Sequence, residues 1–384
     1  MATVDYNAMS EADFRAMLRE FIAAECPPNL RFQARLVKRA EMEPWVRKLS
    51  AQGWLAPAWP VEFGGMGLSP EKLVAYHDEL DAAGVARGSE MSVNMLGMLI
   101  IKHGTPAQQA HYLPRILRIE DIWCQGYSEP GAGSDLASLR TKAVLEGHEW
   151  VINGQKIWTS RANDSTDMFL LARTDPEAKK QEGISFFLLR MDTPGVTVRT
   201  IRTLAGEDDF AEVFFENVRV PKENIVGPVN GGWSVAKALM GFERITIGSP
   251  MAAQLALLEL EKLGRATGAF ANAAFVDTFT RLHLDVQDHI ATYERFAQTL
   301  KRGGALGPEV SILKIWVTET FQAITETMLE WSAEHAAVRG GVTLGADTLD
   351  PLGRYWMARP ASIYAGTNQI QRNILAKAVL GLAS

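Results

Sequence analysis

Cysteine is nearly missing: the 384 residues contain two, Cys26 and Cys124. Two thiols cannot build a disulfide framework, and neither has the companions that a metal site requires, so a reduced, cytoplasmic setting without a bound metal is expected. Long apolar runs are missing too; "MLGMLII" is too short to span a bilayer, which argues against a membrane protein. Basic blocks are absent, and the net charge of −6 is spread along the chain, which argues against a nucleic-acid or anionic-membrane surface. The start, "MATVDYNAMSEADFRAML", has acidic residues and no basic-then-apolar order, so neither a secretory signal nor an Arg-rich transit peptide is expected. There is no internal repeat and no low-complexity tract. His77, His103 and His111 lack metal-ligand spacing and read as structural histidines, while Glu129 and the pair Asp208-Asp209 read as loop or turn carboxylates.

What is present is an ordinary globular composition, 47% hydrophobic and 22% charged, in a chain too long for one core. From Glu11 to about Ile119 the apolar spacing is three and four, as in "EADFRAMLREFIAAE", "EPWVRKLSAQG", "SPEKLVAYHDELDAAG" and "PAQQAHYLPRIL", and "APAWPVEFGGMG" is a loop. The Met-rich "EMSVNMLGMLI" suits either a pliable acyl pocket or a helix core. From about Asp121 to Val229 the period drops to two, in "EWVINGQKIW", "DMFLLART", "ISFFLLRM", "VTVRTI" and "EVFFENVRV", and Asn153-Gly154 signals a hairpin. Long helices then follow at about 232 to 265, 271 to 301 and 308 to 338, with a Gly-rich break "RGGVTLGA" and a last helix from about Asn368. Short connections between long helices predict an antiparallel bundle. The expected domains are 1–120 (all-α), 121–230 (β) and 231–384 (helical).

Three stretches carry chemistry. "CQGYSEPGAGSDLASL" combines Gly131 and Gly133, which let backbone approach a ligand, with the hydroxyls of Ser128 and Ser134; a tight inter-domain turn explains the same composition. "SIYAGTNQIQRNIL", near the end of the chain, is rich in small and hydrogen-bonding groups but holds no acid or base that works near neutral pH. In "WSVAKALMGFERITIGSPMAAQLALL", helical stepping places Ala236, Met240, Glu243, Ile247, Met251 and Gln254 on nearly one face, so Glu243 interrupts an apolar stripe. Buried, that carboxylate would have a pKa raised toward a general base's range; at the stripe's edge it would pair with an arginine of another helix instead.

"SEPGAGSD", "NGQKIWTS" and "IYAGTNQIQRNI", in this order in a helical–β–helical chain, resemble the acyl-CoA dehydrogenase family over essentially the whole length. The resemblance implies an α+β fold with an N-terminal helical domain, a middle β-barrel-like domain and a C-terminal four-helix bundle. It also implies FAD between the last two, with the acyl thioester packed against the flavin. Carried onto this sequence, Gln125, Tyr127 and Ser128 lie along the flavin ring, Ser134 near the pyrophosphate, and Trp158, Thr159 and Ser160 cover the ring; Thr367 and Gln369 also match FAD-contacting positions. Many members have the catalytic glutamate where this chain has Ala365, whose backbone N–H would still serve the thioester carbonyl. A minority, the isovaleryl-CoA and long-chain types among them, take the base from an "ER" pair on the first bundle helix, and Glu243-Arg244 matches that pair.

The implied reaction is dehydrogenation of an acyl-CoA to a 2-enoyl-CoA, with electrons passed to an electron-transfer flavoprotein; branched, long or polycyclic acyl groups are all compatible. Relatives that oxidise nitroalkanes or remove sulfinate, and non-catalytic partner subunits, are the alternatives. Tyr127 stands where an aliphatic residue is usual. Gly264 or Arg265, and Ala337 before Gly340-Gly341, stand where many homotetrameric members have an Arg and a Gln that reach a neighbour's FAD. That departure fits a different dimer arrangement or a heteromer with a related chain.

Overall fold

The computed structural model describes residues 4–86, 90–237, 247–345 and 347–382. Its contacts gather into two compact units, one of Met1–Pro28, Val37–Tyr76 and Ala86–Gly241, the other of Asn29–Leu36, His77–Val85 and Phe242–Ser384. Among the described residues no helix is long and apolar enough to cross a membrane, and no cluster of His, Cys, Asp and Glu could hold a metal ion.

The first unit begins with helices: α1 (Glu11–Glu25), α2 (Arg39–Gln52), α3 (Pro70–Ala82, running past the unit's limit), α4 (Met98–His103) and α5 (Pro106–Leu117). Their spacing explains them. In α1 the four-step series Phe14, Leu18, Ile22 is buried, and Ser10 caps the first turn by accepting from the Asp13 N–H. α5 opens on a capping box in which Thr105 and Gln108 each accept from the other's backbone N–H. The Met-rich stretch is core: Val93, Met95, Leu96, Leu99 and Ile100 are buried, and Trp59 Nε1 donates to the Val93 carbonyl.

The rest of this unit is a seven-stranded sheet: β1 (Trp123–Gly126), β2 (Lys142–Glu146), β3 (Glu149–Ser160), β4 (Asp167–Arg173), β5 (Ile184–Arg190), β6 (Val196–Ile201) and β7 (Phe210–Pro221). They run in the order β1-β4-β2-β3-β7-β6, and β5 also pairs with β4. Every residue of β5 except Arg190 is buried, as a strand covered on both faces requires. The hairpin expected at Asn153-Gly154 is not there. The chain reverses at Gly147-His148, where Glu146 faces Glu149, while Asn153-Gly154 sits inside β3 at a register shift against β7. The reason is steric: a Cβ on Gly154 would lie 2.5 Å from Thr141 Oγ1, so glycine here permits close strand packing and a bulge, not a turn.

The second unit is mainly helical: α6 (Met251–Thr267), α7 (Ala273–Lys301), α8 (Ser311–Trp331), a small hairpin β8 (Val342–Leu344) and β9 (Asp347–Leu349), α9 (Pro351–Ala358) and α10 (Asn368–Ile374). Leu260, Leu263, Phe275, Val286, Ile324, Met328 and Ala358 form its core. Arg354 closes it over the 29–36 segment, pairing with Glu259 at 2.6 Å and donating to the Phe32 and Gln33 carbonyls. The helix expected over 232–265 is interrupted: 232–237 are helical, Gly248-Ser249-Pro250 leave the helix, and α6 starts afresh. Proline lacks the N–H and disfavours helical backbone before it. The apolar stripe therefore does not run on into α6, whose buried face is Ala253, Ala256, Leu257 and Leu260, with Met251 and Gln254 off it.

Candidate active site

In the first unit the glycine-rich loop leaves β1 and is gripped from below by β3. Lys156, fully buried, donates from Nζ to the Tyr127 carbonyl (3.0 Å) and to Glu129 Oε1 (2.8 Å). Glu129 is a turn carboxylate, as expected, but a buried one; it also accepts from the Thr141 and Arg140 N–H groups at 2.9 and 2.6 Å. Burial alone would raise its pKa, but the Lys156 charge and these hydrogen bonds hold it below the usual carboxylate range. Burial likewise pushes Lys156 down to about 8, against the pull of Glu129. The pair remains ionised near neutral pH. Ile157 N–H donates to the Ser128 carbonyl at 2.9 Å, and Glu129 and Ala132 exchange backbone hydrogen bonds, which closes the turn.

β3 then bulges: Lys156 faces Val213 and Thr159 faces Ala211, with a register shift between them. The extra residue lets both Lys156 and Thr159 turn inward while Trp158, at φ 59°, is thrown out to 58% exposure with its ring edge-on to Phe210. An aromatic residue in the left-handed region is uncommon and stores strain, a feature that gathers at ligand sites. Thr159 Oγ1 is buried with no hydrogen-bond partner within the protein. Ser160 ends the strand, half-buried.

Of the remaining expected residues in this unit, Gln125 and Ser128 are half-buried, and Ser134 is exposed on the loop. Added Cβ atoms on Gly131 and Gly133 would meet nothing within 4 Å, so the loop's outer side is open. Tyr127 is buried edge-on to Phe169 and Phe186, which leaves its backbone as the part available to a ligand. Gln125, Tyr127, Ser128, Ser134, Trp158, Thr159 and Ser160 thus belong to the end of β1, the loop that follows it and the strand β3 beneath. Sequence reading missed Lys156, whose signal was a lysine inside the otherwise amphipathic "NGQKIWTS".

In the second unit Ala365 is exposed at φ 53° in the turn before α10. Gln371 holds that turn, with Nε2 donating at 3.4 Å to the carbonyls of Ala365 and Gly366, while its Oε1 is buried without a partner. Thr367 is the N-cap of α10, its hydroxyl accepting from the Ile370 N–H, and Gln369 is exposed on the first turn. The helix start is anchored by a buried network that sequence reading also missed: Lys314 Nζ donates to Asn368 Oδ1 at 3.0 Å, and Asn368 Nδ2 donates to Thr318. Glu243 and Arg244 lie outside the described residues.

Comparison with known proteins covers most of the chain. Residues 9–120, 124–218 and 230–380 match the family models described as acyl-CoA dehydrogenase N-terminal, middle and C-terminal domains. The chain is 36% identical over 348 residues to acyl-CoA dehydrogenase IpdE1 of Mycobacterium tuberculosis, covering 89% of this chain and 88% of that one. Among solved structures it is similar to the Tcur3481-Tcur3483 steroid ACAD (29% identity, 97% of each chain, TM-score 0.87). It is also similar to the ChsE4-ChsE5 complex from Mycobacterium tuberculosis (28% identity, 97% of this chain and 98% of that one, TM-score 0.83).

Proposed function

The chain belongs to the acyl-CoA dehydrogenase family, and from that premise we propose that it converts an acyl-CoA thioester to a 2-enoyl-CoA with FAD as cofactor and an electron-transfer flavoprotein as electron acceptor. The observation that carries the reading is the bulge in β3 that throws Trp158 outward in a left-handed backbone conformation, beside a loop whose outer side is open. These residues fit a flavin: a flat aromatic wall, and small residues and serines for a phosphate.

In this reading Gln125, Ser128, the Tyr127 and Thr159 backbones, Trp158, Ser160, Thr367 and Gln369 hold FAD, and Ser134 serves its pyrophosphate. Bound FAD supplies the acceptor for the hydride that leaves the β-carbon. Glu243 takes the α-proton, Arg244 lies with the substrate, and the Ala365 N–H donates to the thioester carbonyl, where negative charge builds as the α C–H bond breaks. The left-handed backbone at Ala365 supports a specialised use of its amide. With no carboxylate between Tyr364 and Gln371, the base has to come from elsewhere, and Glu243 supplies one.

The domain limits 120 and 230 are part of this proposal, as is a cytoplasmic setting. The names of these solved relatives support a polycyclic, steroid-like acyl group and assembly as a heteromer with a related chain. Glu243→Gln is expected to purify yellow and to abolish anaerobic bleaching of the flavin by acyl-CoA; undiminished bleaching would remove Glu243 as the base. A panel of acyl-CoAs in the same assay identifies the acyl group.

A further inference from the structure

Nothing in the chemistry assigned so far uses the most deeply buried charge of the first unit. The Lys156 ammonium, with no exposed surface, sits under the loop, between the Tyr127 carbonyl and the Glu129 carboxylate. A buried ion pair is weak evidence for stability, because desolvation cancels most of the attraction. Its geometry points elsewhere. In a trans peptide the C=O and N–H point in opposite directions. Lys156 draws the Tyr127 carbonyl inward, so the N–H of the same peptide, on Ser128, is turned to the other side. The cation also polarises that peptide and makes the N–H a stronger donor. On the next residue the Ile157 N–H fixes the Ser128 carbonyl, and Glu129 is tied to both Arg140 and Thr141. Each peptide from Tyr127 to Glu129 therefore has its orientation set from inside the sheet.

We propose that Lys156, paired with Glu129, is the positioning residue of the flavin site: it presents the Ser128 N–H as a fixed, charge-strengthened donor to the flavin ring. The inference rests on the reading of this loop as the flavin site. It predicts two effects that mere support of the fold would not give. Loss of the pair lowers the affinity of the apoprotein for FAD, and it makes the bound flavin harder to reduce, because the ring loses a donor that favours added negative charge.

The test compares the parent protein with Lys156→Met and with the double variant Glu129→Gln/Lys156→Met. The double variant leaves no uncompensated buried charge and keeps the protein foldable if the single variant is not. FAD affinity is read by quenching of flavin fluorescence on titration of apoprotein, the reduction potential by dye equilibration, and the fold by circular dichroism. The expected result for the double variant is a native spectrum, at least tenfold weaker FAD binding and a more negative potential. A double variant that binds FAD as the parent does, at the same potential, overturns the inference. A parent apoprotein that takes up no FAD overturns the assignment of the flavin site itself.

Discussion

At the scale of single residues, the candidate site is marked by groups that the protein leaves strained or unsatisfied. A buried hydroxyl without a partner costs the folded protein about 1–3 kcal/mol, and Thr159 Oγ1 is such a group. Thr159→Val, which keeps the shape, is thus expected to leave the apoprotein as stable as the parent or up to about 3 kcal/mol more stable. Because the hydroxyl turns inward with Lys156, away from Trp158, the same change should leave FAD affinity within about twofold of the parent's. Thermal unfolding and FAD titration on the same preparations check the two effects. A fall in stability would mean that the hydroxyl has a structural role. The positions of these residues were legible from the sequence motifs, but what makes them notable was not. Positive φ at Trp158 and Ala365, and the orphaned oxygen, arise from a bulge and a turn that residue types alone do not specify.

At the scale of elements, periodicity located most helices and strands, and it misled where phase changes inside an element. "EADFRAMLREFIAAE" and "VTVRTI" coincide with α1 and β6, because each keeps one period from end to end. β3 contains two register shifts, so Lys156 points inward and a hairpin signal becomes a bulge. The partners Lys156 and Glu129, 27 residues apart, are joined only by sheet packing, which no local pattern encodes. The short β8, β9 and α9 went unseen inside a Gly-rich stretch and the residues after it. Two glycines at positive φ, Gly154 at 152° and Gly147 at 64°, differ in that only the first is also crowded. Gly154→Ala would push a Cβ to 2.7 Å from the Thr141 Cα, and should cost about 1–3 kcal/mol. Gly147→Ala, at φ 64° in open space, should cost about 1 kcal/mol from backbone conformation alone. Urea unfolding with an unchanged slope measures both, and the Gly154 variant should have the lower midpoint.

At the scale of the whole molecule, pH acts through a few buried carboxylates. Burial is the main cause that pushes Asp167 up to about 6, with the Asp121 charge adding to it; the Thr166 hydroxyl and the Arg190 and Arg115 charges pull the other way. Its folded pKa lies above the unfolded value, so the folded state holds the proton more tightly. The resulting stability is fully present below about pH 4 and is lost as pH rises through about 6. Asp167→Asn removes this dependence: the variant should be more stable than the parent above about pH 7, by at most about 3 kcal/mol, and the gap should shrink toward about pH 4. Melting temperatures across that range test the sign. The grip of Lys156 and Glu129 on the glycine-rich loop has a consequence in time as well. Every bond in it is internal to the chain, so the cost of ordering the loop is met during folding and not on arrival of the cofactor. FAD should then enter in a single kinetic phase whose rate rises linearly with its concentration, with no slow rearrangement to follow.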